Sequence, residues 1–259
     1  MPLKAPDREF RTKTSRSTAI EVAGLSKTFQ ARGGPVRALH DLTFSVAAGE
    51  TLGIVGPSGC GKSTLLEVLA GLEQPSAGSI AVRGRCVLMP QRDLLLPWRS
   101  ALDNAALGPQ LQGASKSVAR RRALELFDRF GLVDFANARP AELSGGMRQR
   151  VAFARTLLAD RPVLLLDEPF ASLDSITRAE LQEWLLGALA GEPRTTVLVT
   201  HDIEEALYVC DRVLVLSRRP GTVKQELRDL DLDRSAPRTE VVTSPEFAQL
   251  RQHALEALG

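Results

Sequence analysis

The sequence predicts an α/β protein built around a parallel sheet, and three observations carry that expectation. Thr51–Val55 is a short apolar run that meets a glycine-rich turn and then a helical pattern over Ser63–Ala70. Val163-Leu164-Leu165-Leu166 is apolar at every position, as a strand covered on both faces must be. Strand and helix patterns then alternate as far as Leu216, and that alternation favours a parallel sheet with helices packed on it.

The elements follow in order. Residues 1–18 are rich in Arg, Lys, Ser and Thr without periodicity and read as a disordered lead-in. From Ile20 to Phe29 apolar residues alternate, Gly33-Gly34-Pro35 breaks the chain, and the pattern resumes from Val36 to Val46, which predicts an antiparallel pair. Two further short strands are expected at Ser79–Arg83 and Arg85–Met89. Ser100–Phe135 reads as helical, with a break at Gly113 and an amphipathic stretch over Val118–Phe130. Next come a helix from Gly145 to Ala159, the apolar strand, a helix over Ile176–Ala190, a strand over Thr195–Val199, a helix over Ile203–Cys210 and a strand over Arg212–Leu216. The tail from Asp229 to Gly259 is charged and partly helical, and its residues point to no chemistry.

Composition narrows the function. The chain has 259 residues, 44% apolar and 25% charged, so it buries a sizeable core. Thirty-three basic residues against 31 acidic ones leave a charge of +2, and no broad basic field recruits nucleic acid. Arg120-Arg121-Arg122 is the densest local charge and reads as a solvated helix face. Cys60, Cys86 and Cys210 lie far apart without metal-ligand spacing, which suits a reducing compartment. The polar N-terminus has no signal-peptide core, and no apolar stretch approaches the roughly 20 residues that cross a bilayer. A cytosolic protein is expected, with any membrane part supplied by another chain.

Gly56-Pro57-Ser58-Gly59-Cys60-Gly61-Lys62-Ser63-Thr64 fits the phosphate-binding pattern G-x-x-x-x-G-K-[ST] without a gap. Glycines let backbone N–H groups converge on phosphate oxygens, and the following helix directs its positive end at them. Lys62 is placed to reach the β- and γ-phosphates, and the Ser63 hydroxyl suits Mg²⁺. Cys60, inside this loop, is expected to have its pKa lowered by the helix N-terminus, so that a thiol alkylator inactivates the protein and ATP protects it. Val163-Leu164-Leu165-Leu166-Asp167-Glu168-Pro169 sets two carboxylates at the end of a buried strand. Ligands of parallel sheets collect at the carboxyl ends of strands, so both acids should face the nucleotide. Asp167 would orient Mg²⁺, and Glu168 would polarise the attacking water.

Leu143-Ser144-Gly145-Gly146-Met147-Arg148-Gln149 resembles the signature motif of ATP-binding cassette (ABC) ATPases, and Ile20 to about Glu226 is similar to that family's nucleotide-binding domain. Gln91 falls at the family's Q-loop, Ser172-Leu173-Asp174 at its D-loop, and His201 at its switch histidine. The resemblance implies a P-loop ABC ATPase core over residues 19–227, with an N-terminal antiparallel β-subdomain, an inserted α-helical subdomain at about 92–150, and a C-terminal tail at 228–259. It implies a catalytic set of Glu168, His201, Gln91 and Lys62, and a metal set of Ser63, Gln91 and Asp167. It also implies a head-to-tail dimer, either of this chain or with a paired cassette. There the Gly56–Thr64 loop of one copy and Ser144, Gly145, Gly146 and Asp174 of the other enclose one ATP. Ser144 with two glycines opening a helix is a second anion-binding helix end, or else simply an N-cap. Phe29 stands where the family stacks an aromatic ring on adenine, and it equally suits the core. His40 and His253 match nothing and read as structural or surface residues; Trp184, with Leu181 and Leu185, reads as core.

The segment Arg92-Asp93-Leu94-Leu95-Leu96-Pro97-Trp98-Arg99, with Leu216–Gly221, resembles the importer branch for nitrate, sulfonates and taurine. Its leucines and tryptophan beside Gln91 make a docking ledge for a partner's short helix, or local core. The implied protein is the ATP-binding subunit of an importer on the cytoplasmic face of the membrane, with separate transmembrane permease subunits and an extracytoplasmic solute-binding protein. The alternatives are the ATPase of an ABC exporter and a soluble ABC ATPase without a membrane partner.

Overall fold

The computed structural model describes residues 17–228, 230 and 232–258. The expected lead-in therefore lies outside the described residues except at its end, where Thr18 already opens the first strand. Two long strands, β1 (Thr18–Ala31) and β2 (Gly34–Ala47), form the antiparallel pair read from the sequence. β3 (Thr51–Val55) leads into α1 (Lys62–Leu69). The next two strands, β4 (Ala77–Val82) and β5 (Cys86–Met89), are neighbours in sequence but belong to different sheets. β4 pairs antiparallel with β1 and completes a three-stranded sheet. β5 crosses to the edge of the main sheet.

The helical segment consists of α2 (Ala101–Ala105), α3 (Leu107–Leu111) and α4 (Lys116–Arg129), with a short 3₁₀ turn at Val133–Phe135. Ser100 and Ser115 cap α2 and α4 by accepting from Asp103 N and Val118 N at 3.1 and 3.3 Å. α4 buries Ala119, Ala123 and Phe127, spaced by four residues along one stripe, while Arg121 and Arg122 face water and Arg120 pairs with Asp103 at 2.6 Å. α5 (Gly145–Leu158), β6 (Val163–Asp167), α6 (Ser175–Gly191), β7 (Thr195–Thr200), α7 (Ile203–Val209) and β8 (Arg212–Leu216) follow as the alternation requires. The six-stranded main sheet runs β5-β6-β7-β3-β8-β9, parallel from β5 to β8. Its antiparallel edge, β9 (Val223–Leu227), has no counterpart in the sequence reading. As an edge strand it is largely polar and exposed, so it lacks the apolar run that marks a central strand.

The apolar run in β6 is explained by the sheet's two covered faces. Val163 and Leu165 point into a core shared with α1 and the three-stranded sheet, and Leu164 and Leu166 into a second core shared with α5, α6 and α7. In the second core Phe153 of α5 packs on Phe130, Phe170 and Trp184, with ring centroids 5.9, 5.8 and 6.2 Å away. Trp184 is half-buried and packs against this core, in keeping with the expected core role. The tail forms α8 (Arg238–Thr243) and α9 (Pro245–Leu258), which bury Val241, Phe247 and Ala254. It lies against α7 and β9.

Phe153 of α5 joins the residue that ends α4, the turn after β6 and α6 through this aromatic cluster. Phe153→Ala should therefore lower unfolding free energy by about 3–5 kcal/mol in a denaturant titration, because neighbours on three elements cannot all collapse into the space.

Candidate active site

The glycine loop sits between β3 and α1. Gly59 and Gly61 have φ of 76° and 107°, a region that favours glycine, and a Cβ on Gly61 would lie 2.7 Å from the Ala38 carbonyl oxygen. The loop is therefore pressed against β2 as tightly as a glycine backbone permits. Lys62 is buried, and its ammonium donates to the carbonyls of Gly56 and Pro57 at 2.7 and 3.1 Å. Ser58 and Ser63 are exposed, and Pro57 and Thr64 half-buried.

The acidic turn follows β6. Asp167 is 5% exposed. Burial raises its pKa, with the Ser63 hydroxyl hydrogen-bonded to it as the largest opposing influence. A buried carboxylate beside a hydroxyl fits Mg²⁺, since a bound cation would favour the ionised form that burial disfavours. No group of three or more His, Cys, Asp or Glu among the described residues could cage a metal. Mg²⁺ ordinarily takes one or two protein carboxylates and completes its shell with phosphate and water.

Glu168 is a non-glycine residue in the left-handed region, φ 47°, held there by its N–H bond to the Val199 carbonyl at 2.8 Å. This conformation turns its carboxylate toward two neighbours. Gln91, just beyond β5, donates its Nε2 to Glu168 Oε2 at 3.2 Å, and His201, just beyond β7, places Nδ1 3.2 Å from Glu168 Oε1. Three residues from three strand ends thus meet at one carboxylate.

Ser144 caps α5, accepting from Met147 N at 3.2 Å, and Ser144 and Gly145 are exposed. Gly146 lies against the following loop, where a Cβ would be 3.4 Å from the Ser172 carbonyl oxygen. A cavity of about 380 Å³ opens here, lined by Gln91, Asp93, Gly145, Arg148, Gln149 and Ser172. Asp174 caps α6 through bonds from Ile176 N and Thr177 N, and that bonding, led by Thr177, lowers its pKa. Phe29 is half-buried on the small-sheet core, with the Lys27 ammonium 4.7 Å from its ring centroid. His40 and His253 are exposed.

Along the ledge, Leu94 and Trp98 are 60% and 67% exposed, whereas Leu95 is buried. The ledge therefore divides between surface and core. Arg148 pairs with Asp93 at 3.0 Å, and Arg155 donates to the carbonyls of Asp93 and Leu94, so α5 holds the chain that follows Gln91.

One expectation is overturned. Cys60 is 1% exposed, packed in the core beneath the loop, and burial raises its pKa against the smaller opposing pull of Lys62. The thiol turns inward, so the helix end that should have ionised it does not dominate.

Two residues escaped the sequence reading. Gln149, inside the signature motif but given no role there, is buried and donates to the carbonyls of Pro169 and Glu168 at 3.2 and 3.4 Å, bracing the acidic turn. Glu205 of α7 is 5% exposed and bonded to the Thr200 hydroxyl, and burial pushes its carboxyl from 4.5 up to about 7. Its signal was a charged residue at an otherwise apolar helix position.

The family model described as ABC transporter matches residues 39–171. The chain belongs to the ABC transporter family. It is one of that family's ATP-hydrolysing subunits. It is 41% identical over 244 residues to the nitrate import ATP-binding protein NrtD of Synechococcus elongatus, covering 90% of this chain and 89% of that protein. It is 43% identical over 246 residues to the taurine import ATP-binding protein TauB of Rhizobium johnstonii, covering 90% and 94%. It is 49% identical over 206 residues to the aliphatic sulfonates import ATP-binding protein SsuB 1 of Rhodococcus jostii, covering 77% and 79%. The dimeric post-hydrolysis state of the ATP-binding cassette MJ0796, bound to ADP and Pi, superposes with a TM-score of 0.74 at 31% identity, covering 81% of this chain and 98% of that one. Among the described residues, no helix of this ABC protein is long and apolar enough to cross a membrane.

Two outcomes follow from the buried groups. In the folded protein at neutral pH, Cys60 should react with iodoacetamide at least about tenfold more slowly than an unfolded-chain thiol, as read by peptide mass spectrometry. Between pH 4.5 and about 7 the folded state keeps a proton on Glu205 that the unfolded chain has released. Stability should therefore fall as pH rises through that window and level off above it, and Glu205→Gln should remove that component of the slope in denaturant titrations.

Proposed function

We propose that this chain is the ATP-hydrolysing subunit of an importer for a small solute of the nitrate, sulfonate or taurine type. The observation that carries the hydrolytic reading is the convergence of Gln91 and His201 on the Glu168 carboxylate beside the glycine loop. The importer reading is supported by relatives whose names state nitrate, taurine and sulfonate import over most of their length.

In this reading Gly56–Thr64 wraps the phosphates with backbone N–H groups, and the buried Lys62 exchanges two loop carbonyls for phosphate oxygens. Phe29 stacks on the adenine. Ser63, Gln91 and Asp167 would hold Mg²⁺, which would offset the charge of the phosphates. Glu168 accepts the proton of the attacking water, held in line by its left-handed backbone and by Gln91. His201 contacts the γ-phosphate and keeps Glu168 oriented.

Ser144, Gly145, Gly146 and Asp174 serve a second cassette's nucleotide, the partner being another copy or a paired cassette. The exposed ends of α5 and α6 support this, as does the dimeric state of the MJ0796 cassette. Exposed Leu94 and Trp98, on a segment held by α5, support docking of transmembrane permease subunits. These permeases receive solute from an extracytoplasmic binding protein, and the cassette works peripherally at the cytoplasmic face of the membrane. Nucleic acid has no part in it.

Glu168→Gln should keep ATP binding while lowering kcat by about 10²–10⁴-fold and prolonging the closed dimer, as read by steady-state hydrolysis and size-exclusion chromatography with ATP. Lys62→Ala should instead weaken nucleotide affinity itself. Full turnover in Glu168→Gln would remove that residue from the mechanism. The same Glu168→Gln protein, purified with ATP and Mg²⁺ from gently solubilised cells, should bring down a multi-span membrane subunit identifiable by mass spectrometry.

A further inference from the structure

We propose that Glu205 is a positioning residue for hydrolysis: its buried carboxylate fixes the turn through which His201 reaches Glu168. This inference rests on the hydrolytic reading of Glu168 and His201 given above.

The connection is short and continuous. The Thr200 hydroxyl, at the end of β7, donates to Glu205 Oε2 and accepts from Asp202 N at 3.1 Å. Asp202 Oδ1 in turn accepts from Glu204 N and Glu205 N at 2.9 and 3.2 Å, closing the start of α7. His201 is the residue enclosed by this loop of bonds, and its Nδ1 ends 3.2 Å from Glu168. His201 itself is 57% exposed, so its own packing does little to fix it. The anchor lies beneath it, in the core.

The other oxygen of that carboxylate is informative. Glu205 Oε1 is buried and has no hydrogen-bond partner. A second carboxylate oxygen left bare in the interior is costly, and a buried polar group without a protein partner calls for an explanation. Few charges balance it. Asp202 raises its proton affinity, while Arg178 of α6 and His201 lower it. Arg178 lies 3.7 Å from Asp202, and its Nε is itself buried without a partner. The cations on the tail helices are turned elsewhere: Arg238 lies 5.2 Å over the Tyr208 ring and Arg251 pairs with Glu204 at 2.8 Å. β3 carries no charged residue, and Arg212 of β8 pairs with Glu50 at 2.9 Å.

The anchor is therefore titratable near neutrality, with a pKa of about 7. Once ionised, it accepts the Thr200 hydroxyl in a charge-assisted bond, and once protonated it offers a weaker neutral acceptor. The turn is held more firmly as pH rises through that value. Glu205→Gln keeps the shape and the neutral acceptor at every pH.

The test measures hydrolysis and nucleotide affinity in the assembled transporter carrying Glu205→Gln, Glu205→Ala or Thr200→Val, with Glu168→Gln as reference. Glu205→Ala and Thr200→Val should lower kcat by about tenfold or more with ATP affinity nearly unchanged, as loss of positioning predicts. Glu205→Gln should match the native protein near pH 6 and fall behind it by about fivefold near pH 8, the difference between a neutral and a charge-assisted bond. If Glu205→Ala does not fold, the other two variants carry the test. A pH profile of Glu205→Gln parallel to the native one, or an unchanged kcat in Thr200→Val, overturns the inference while inactivity of Glu168→Gln leaves the hydrolytic reading standing. Turnover retained in Glu168→Gln overturns both.

Discussion

The structure depends on the parallel register of four strands. Met89 lies opposite Leu166, Asp167 opposite Val199, and Val55 opposite Thr200. Because those strands run in one direction, the four chain segments leaving them emerge along one edge of the sheet, and each bears one part of the proposed chemistry. Gln91 follows β5, Asp167 and Glu168 close β6, His201 follows β7, and the glycine loop follows β3. A shift of one residue in any of these pairings would turn side chains to the opposite face and separate Glu168 from its two neighbours. The apolar residues on both faces of β6 and β7 hold that register, so the two cores act as the site's frame.

Rigid frames need adjustable edges, and here helix caps provide the junctions. Ser144, Asp174 and Asp202 each close the first turn of a helix, and each belongs to a loop that borders the site. Gln149 ties the signature helix to the acidic turn, and Arg148 and Arg155 tie it to the chain after Gln91. One helix, α5, thus touches both the ledge and the backbone of the acidic turn that carries Glu168.

Much of this was legible in the sequence, because the informative features are local. Gly56–Ser63 and Val163–Pro169 declare a strand, a turn and their chemistry within a few residues. What escaped depends on direction and depth. Cys60 sits among loop residues that suggest exposure, but its side chain turns into the core. β4 and β5 read alike yet separate into two sheets, since pairing partners far away in sequence decide their fates. β9 is polar because an edge strand needs no apolar run. Glu205 is one of two adjacent acids on its helix, and only its burial against Thr200 sets it apart.

The tail gives the fold an unexpected reach. Arg234 donates to the carbonyls of Leu207, Tyr208 and Cys210, gripping the last turn of α7, while Phe247 is buried beneath the same helix system and Arg251 holds Glu204 at its first turn. The helix that begins beside His201 is therefore clasped at both ends by residues 24 to 47 positions downstream of their partners. Damage to the C-terminus, by proteolysis or by a bulky fusion, would be felt at the turn beside Glu168, and in the proposed mechanism a lesion remote in sequence would present itself as a slow enzyme.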